Sequence, residues 1–162
     1  MIKKLSIISI VIFIFDQLIK FIVNANIGLN EEIIIIDNFF SLFHVRNYGA
    51  GFSILIGQRL FLILVSLIAS IGVIWYLLKG KNIKKYESIL YPILLGGILG
   101  NLYDRVVLGY VIDYLSFNFF GYSYPVFNLA DMAIVISIIG ILFFGIKDDV
   151  NENKSRRTRE KN

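Results

Sequence analysis

"LFLILVSLIASIGVIWYLL", Leu60 to Leu78, runs for 19 residues without a charged side chain. As a helix rising 1.5 Å per residue it would cover about 28 Å, close to the ~30 Å hydrocarbon thickness of a bilayer. It therefore reads as a membrane span, and three further stretches have similar character: Leu5 to Val23, Ser88 to about Tyr103, and Leu129 to Ile146. Composition points the same way. Of 162 residues 57% are hydrophobic and 17% charged, and the mean hydropathy of +0.73 lies outside the range of a soluble domain. The expected fold class is membrane all-α, a four transmembrane helix bundle forming one domain over residues 1–146. The charged segment 147–162 has no apolar face and is expected to be disordered.

Lysine and arginine distribution gives an orientation. Lys3 and Lys4 precede the first span. Lys79, Lys81, Lys84 and Lys85 join the second to the third, and Lys147, Lys154, Arg156, Arg157, Arg159 and Lys161 follow the fourth. Only Lys20, Arg46, Arg59 and Arg105 are left for the opposite side. Both termini are expected on the cytoplasmic side, with the longer connections outside. The first of these contains "EEIIIIDNFFSLFHVRNYGAGFS", residues 31–53, whose β-branched and aromatic runs suggest short strands lying on the membrane surface. The second, Arg105 to Asn128, is rich in Tyr and Phe, as suits backbone at the lipid–water boundary.

Several chemistries are excluded or made improbable by residue counts. The chain has no cysteine, hence no disulfide, thiolate ligand or cysteine nucleophile. It has one histidine, His44, so a histidine-based metal site or a Ser-His-Asp triad would depend on a single ring. No metal cofactor and no nucleic-acid partner are expected.

The polar residues within and beside the spans are then the informative ones, because each costs a few kcal/mol to insert and needs a partner or a task. Asp16 and Lys20 stand four apart on one helical face and can pair. In "GGILGNLYDR", Gly96 and Gly100 have the small-xxx-small spacing of close helix packing. Asn101 and Arg105 share a face there, and Arg105 is placed to compensate Asp104. Asn128 is a natural N-cap for the fourth span and Asp131 falls in its first turn, where the helix dipole favours a carboxylate. Asp113, in "GYVIDYL", has no such local explanation. If its loop folds back on the start of span four, Asp113 and Asp131 meet in a partly dry pocket. Two close carboxylates do not both ionise readily, so one keeps a proton while the other acts as base. A water between them could then be activated against a peptide carbonyl, with Asp131 expected as the more acidic member.

These motifs together, "DQLIK" at 16–20, "RNYGAGFS" at 46–53, "GGILGNLYDRVVLGYVIDY" at 96–114 and "YPVFNLADMAI" at 124–134, resemble those of the prolipoprotein signal peptidases, or signal peptidase II. The resemblance spans about residues 5–146. It implies an aspartyl endopeptidase of the bacterial cytoplasmic membrane, with a small extracytoplasmic β-cradle at about 27–56. Such an enzyme cleaves prolipoproteins just before the diacylglyceryl-modified cysteine. Its implied partners are those precursors and membrane lipid, and its implied cofactors none. The resemblance makes Asp113 and Asp131 the catalytic dyad and Asp16, Lys20, Asn47, Asn101, Asp104, Arg105 and Asn128 the surrounding polar set, with Phe52 adding an apolar contact. Ile19, Gly51 and Tyr124 depart from the usual residues of these motifs. The alternative is a small transporter or proton-relay subunit using the same acids. Against it, the acids lie near the outer ends and none reaches the cytoplasmic half of a span.

Overall fold

The computed structural model describes residues 2–51, 54–80 and 82–159, and Phe52 lies outside them. In chain order they form α1 (Ile2–Asn26), β1 (Glu32–Ile36), β2 (Phe40–Asn47), α2 (Arg59–Lys79), α3 (Glu87–Val107), β3 (Val111–Phe119), β4 (Tyr122–Ser123) and α4 (Leu129–Arg159).

Three helical segments are long and apolar enough to cross a membrane: Ile7–Asn26, Arg59–Lys79 and Leu129–Glu152. α3 matches α2 in length, at 21 residues, but differs in composition. It packs against α1, α2 and α4, so most of its surface meets protein. Accordingly it buries Gly96, Gly97, Gly100, Asn101 and Asp104, residues that a lipid-facing helix would replace with Leu or Ile. A Cβ at Gly96 would come within 2.7 Å of the Ser9 carbonyl on α1, and one at Gly97 within 2.6 Å of the Ala130 carbonyl on α4. Those absences let both neighbours approach the α3 backbone. On the other flank, Val73 and Leu77 of α2 join Leu94, Leu95 and Ile98 of α3 in an apolar cluster.

Burial across the molecule is inverted relative to a soluble protein. Ile10, Phe21, Leu60, Ile68, Trp75 and Phe143 are exposed, while Asp16, Lys20, Asp104, Asp113 and Asn128 are each 1% exposed or less. In lipid an exposed isoleucine costs nothing and an exposed carboxylate costs much, so the polar groups turn inward and pair.

The strands form one antiparallel sheet in the order β1-β2-β3-β4. Strands were expected only between the first two helices, and the sheet corrects this: β3 and β4 come from the connection between α3 and α4. Val111–Phe119 is rich in β-branched and aromatic residues and is bounded by Gly109 and Gly121, both at positive φ. Those are ordinary strand and turn signals, which an aromatic membrane-boundary reading had absorbed. β2 pairs with β3 through Val45↔Asp113 and Leu42↔Leu115, with one extra β2 residue between them. His44 lies in that bulge, buried, with Nδ1 donating to the Ile27 carbonyl at 2.8 Å. It anchors the sheet to the end of α1.

α4 also runs on past Ile146 to Arg159, where a disordered tail was expected. No Gly or Pro follows Gly145 to stop it. Asp148 on this extension pairs with Lys84 at 2.8 Å.

Candidate active site

The site forms where β3 meets the first turn of α4. Phe127 lies against Leu115: the Leu115 and Tyr114 backbone N–H groups donate to the Phe127 carbonyl at 2.8 and 3.0 Å, and the Phe127 N–H donates back to the Leu115 carbonyl at 3.1 Å. This isolated bridge holds Asn128, the residue before α4, against the strand that carries Asp113. The Tyr114 hydroxyl accepts the Leu129 N–H at 3.1 Å, a further clamp at the same junction.

Asn128 and Asp131 then cap α4 reciprocally. The Asp131 N–H donates to Asn128 Oδ1 at 2.9 Å, and the Asn128 N–H donates to Asp131 Oδ2 at 3.2 Å. The free half of the Asn128 amide is thereby aimed at β3, and its Nδ2 donates to Asp113 Oδ1 at 2.6 Å. One residue thus touches both acids, through its main chain at Asp131 and its side chain at Asp113. From across the sheet, Asn47 Nδ2 donates to Asp113 Oδ2 at 2.9 Å. Asn47 is the diagonal neighbour of Asp113 on the same sheet face, a position that follows from the Val45↔Asp113 register. Asn101 on α3 completes the set by donating Nδ2 to Asp131 Oδ1 at 2.7 Å.

Behind these residues is a second, drier layer. Lys20 Nζ contacts Asp16 Oδ2 at 2.8 Å, Asp104 Oδ2 at 2.9 Å and Asn101 Oδ1 at 2.9 Å. Asp16 also accepts the Ala130 N–H at 3.0 Å, adding a bond to the N-terminus of α4. Asp104 accepts the Ile112 N–H at 3.3 Å, adding one to β3. Arg105, expected to compensate Asp104, does something else. Its guanidinium donates to the Gly49 carbonyl at 3.0 Å and to the Asn101 carbonyl at 3.4 Å, while Lys20 neutralises Asp104. The reason is geometric: Arg105 lies one residue further round α3, toward the cavity rather than toward α1.

The structure therefore gathers all nine of Asp113, Asp131, Asp16, Lys20, Asn47, Asn101, Asp104, Arg105 and Asn128 into one connected patch. Sequence reasoning passed over Gln17, whose Nε2 donates to Asp104 Oδ1 at 2.9 Å and to Asp16 Oδ2 and the Gly100 carbonyl at 3.2 Å each. Its place inside "DQLIK", flanking a buried acid, was the available signal. Tyr114 was passed over as well, because nothing local predicts that its hydroxyl meets α4.

Electrostatically, Asp113 is the distinctive group. Burial, followed by the neighbouring Asp131 charge, pushes its carboxyl up to about 7, against the opposing effects of the Asn47 and Asn128 amides and of Lys20. A carboxyl in that state is a proton donor near neutrality. Asp131 is less enclosed and, with Asp113, lines a cavity of about 460 Å³ whose other walls are mainly apolar, including Val126, Phe127, Met132 and Ile134. A second cavity of about 750 Å³ between α2, α3 and α4 shares Asn101, Arg105 and Asp131 with it. No cluster of three or more metal-ligating residues occurs among the described residues.

Comparison with known proteins identifies relatives of the whole chain. A family model described as signal peptidase (SPase) II matches residues 8–147. Lipoprotein signal peptidases of Staphylococcus aureus, strains MRSA252 and JH9 among them, are 31% identical over 147 residues, covering 91% of this chain and 90% of theirs. Two solved structures, each described as a bacterial membrane enzyme, superpose with TM-scores of 0.87 and 0.82 at 31% identity. The first likeness covers 93% of this chain and 92% of the other, the second 91% and 96%.

Proposed function

The chain belongs to the signal peptidase II family, whose function is removal of prolipoprotein signal peptides, and on that premise we propose that Asp113 and Asp131 are its catalytic pair. The enzyme is then an aspartic endopeptidase that cuts just before a diacylglyceryl-modified cysteine. The observation that carries this reading is the double grip of Asn128, which holds both carboxyl groups at the edge of one cavity.

The roles follow from environment. Asp113, with its proton retained to about neutral pH, hydrogen-bonds the scissile carbonyl and makes its carbon more electrophilic. Asp131, bound to the Asn101 amide and capping α4, takes the proton from a water that attacks that carbon. Collapse of the tetrahedral intermediate returns a proton to the leaving amine. Asn47 and Asn128 hold Asp113 at a fixed rotamer, and Asn101 does the same for Asp131.

Membrane placement fits this chemistry. α3 serves as a fourth span, acceptable to lipid because its polar face is covered by the other three helices. Both termini lie on the cytoplasmic side, and the sheet and the acid pair lie at the outer surface. A signal peptide is an apolar helix and its acylated cysteine is held at the bilayer surface, so the membrane delivers the cleavage region to the depth of the pair. The lined cavities between α2, α3 and α4 offer apolar walls for that delivery.

The test is cleavage of a lipid-modified precursor by purified protein. Asp113→Asn and Asp131→Asn are each expected to lower the rate by about 10³-fold or more, since either change removes one half of the proton exchange. Near-parental cleavage by either variant overturns the assignment.

A further inference from the structure

The cavity containing the acid pair does not end at Asp113. On the side of the sheet there is another, of about 310 Å³, walled by Val45, Arg46, Tyr48 and Ile56. It shares Asn47, Asp113, Pro125 and Val126 with the cavity of the acid pair, so the two meet across the Asp113 carboxyl. A chain lying over that carboxyl would have one end in each.

The two ends differ in chemistry. On the helix side, the walls include Asn101 and Arg105 of α3 and Met132, Ile134 and Val135 of α4, and they share Asn101, Arg105, Asp131 and Ile134 with the apolar cavity between α2, α3 and α4. On the sheet side, a cation is built into the wall. The Arg46 guanidinium lies over the Tyr110 ring at 4.6 Å from its centroid, and Tyr110 contacts Tyr48 at 5.7 Å between centroids. Stacking of this kind holds a guanidinium in place while leaving its N–H edge free to bind an anion. No carboxylate pairs with Arg46 among the described residues. An apolar signal helix has reason to occupy the first side and none to occupy the second.

Resting on the reading of Asp113 and Asp131 as the cleavage site, we propose that the Val45–Tyr48 cavity is a subsite for the first residues after the cleaved bond, and that Arg46 gives it a preference for an acidic side chain there. The mature end of the precursor is polar and extended and leaves the bilayer toward the sheet, which suits this cavity's position and charge. An anionic lipid headgroup could also reach an exposed arginine, but it would not have to sit beside Asn47 and Asp113.

The experiment uses full-length protein in neutral detergent and two lipid-modified precursors differing only in the two residues after the modified cysteine, Glu-Glu in one and Lys-Lys in the other. The ratio of their kcat/KM values is read within each variant. For the parent protein the acidic precursor is expected to be favoured by about threefold or more, the scale of a partly exposed charge pair. Arg46→Gln is expected to bring the ratio near one, and Arg46→Glu to reverse it. Loss of the acid pair lowers both rates together and leaves the ratio unaffected, so failure of the cleavage-site reading is distinguishable from failure of the subsite. A parental ratio near one, or one that survives Arg46→Glu, overturns the proposal. So does a dependence on Arg46 that appears only when anionic lipid is added and changes the rates of both precursors equally.

Discussion

Lys20 donates to Asn101 Oδ1 at 2.9 Å, and this bond decides which way the Asn101 amide faces: its oxygen toward the ammonium, its Nδ2 toward Asp131 at 2.7 Å. The buried charge on α1 thus positions the Asp131 carboxylate on α4 through an uncharged intermediary on α3. The same ammonium neutralises Asp16 and Asp104, which would otherwise face each other in a dry interior.

Lys20→Met is accordingly expected to cost about 3–5 kcal/mol, because it leaves two buried carboxylates with no counter-charge. Pairing it with Asp104→Asn should recover part of that loss. Thermal unfolding in detergent measures both, and a Lys20→Met protein as stable as its parent contradicts the network. In any fraction that stays folded, kcat should fall more than KM rises, since the Asn101 amide is released while the cavity walls are unchanged.

On the proposed roles, the Asp113 carboxyl is expected to set a pH window. A proton donor titrating at about 7 gives kcat/KM an alkaline limb near that pH, with activity lost as pH rises through it. The Asn47 amide favours the ionised form, so Asn47→Ala should move that limb upward. A limb that stays in place or moves downward would show that Asp113 is not the donor.

Stability follows the same group with the opposite reach. The folded protein holds the Asp113 proton more tightly than an unfolded chain, whose carboxyl titrates near 3.8. Its contribution is therefore complete below about pH 4 and is lost as pH rises to about 7, by roughly 4 kcal/mol at most. Asp113→Asn removes this penalty and should give a protein that is inactive yet more stable than its parent above neutrality. Equal denaturation midpoints at pH 8 would count against the shift.

Asn128 combines capping and positioning, and the two can be separated. Serine keeps an N-cap oxygen for the Asp131 N–H but has no amide for Asp113. Asn128→Ser should lose less than about 1 kcal/mol of stability, while its kcat falls by about tenfold or more. Asn128→Ala should lose both. Comparable activity in the serine variant and the parent would mean that the bond to Asp113 is dispensable.

Two glycines in helices make a paired control. A Cβ at Gly100 would strike the Asp16 carboxylate and lie 3.3 Å from the Ala130 side chain, whereas one at Gly72 meets nothing within 4 Å. Gly100→Ala is expected to destabilise by about 1–3 kcal/mol. Gly72→Ala should be neutral or stabilising by up to ~1 kcal/mol, the intrinsic helix preference. The contrast is checked by unfolding both variants in the same micelle.

Much of this protein is determined locally. Leu60 to Leu78 is a span because nineteen successive residues carry no charge and most of their side chains prefer lipid, and Asn128 is a cap because its oxygen can reach an N–H three residues on. Such preferences depend on each residue and its near neighbours, so they survive in a linear reading. The Asp16–Lys20 pair was legible for the same reason, through helical spacing. What the tertiary structure alone decided is which distant groups meet. That β3 would pair with β2, in a register setting Asn47 beside Asp113, depends on two connections separated by α2 and α3. The choice of Lys20 rather than Arg105 as partner of Asp104 likewise depends on how deeply α1 sits against the glycine face of α3. Strand partners and buried ion pairs are selected by competition among non-local contacts, and a sequence lists the competitors without ranking them.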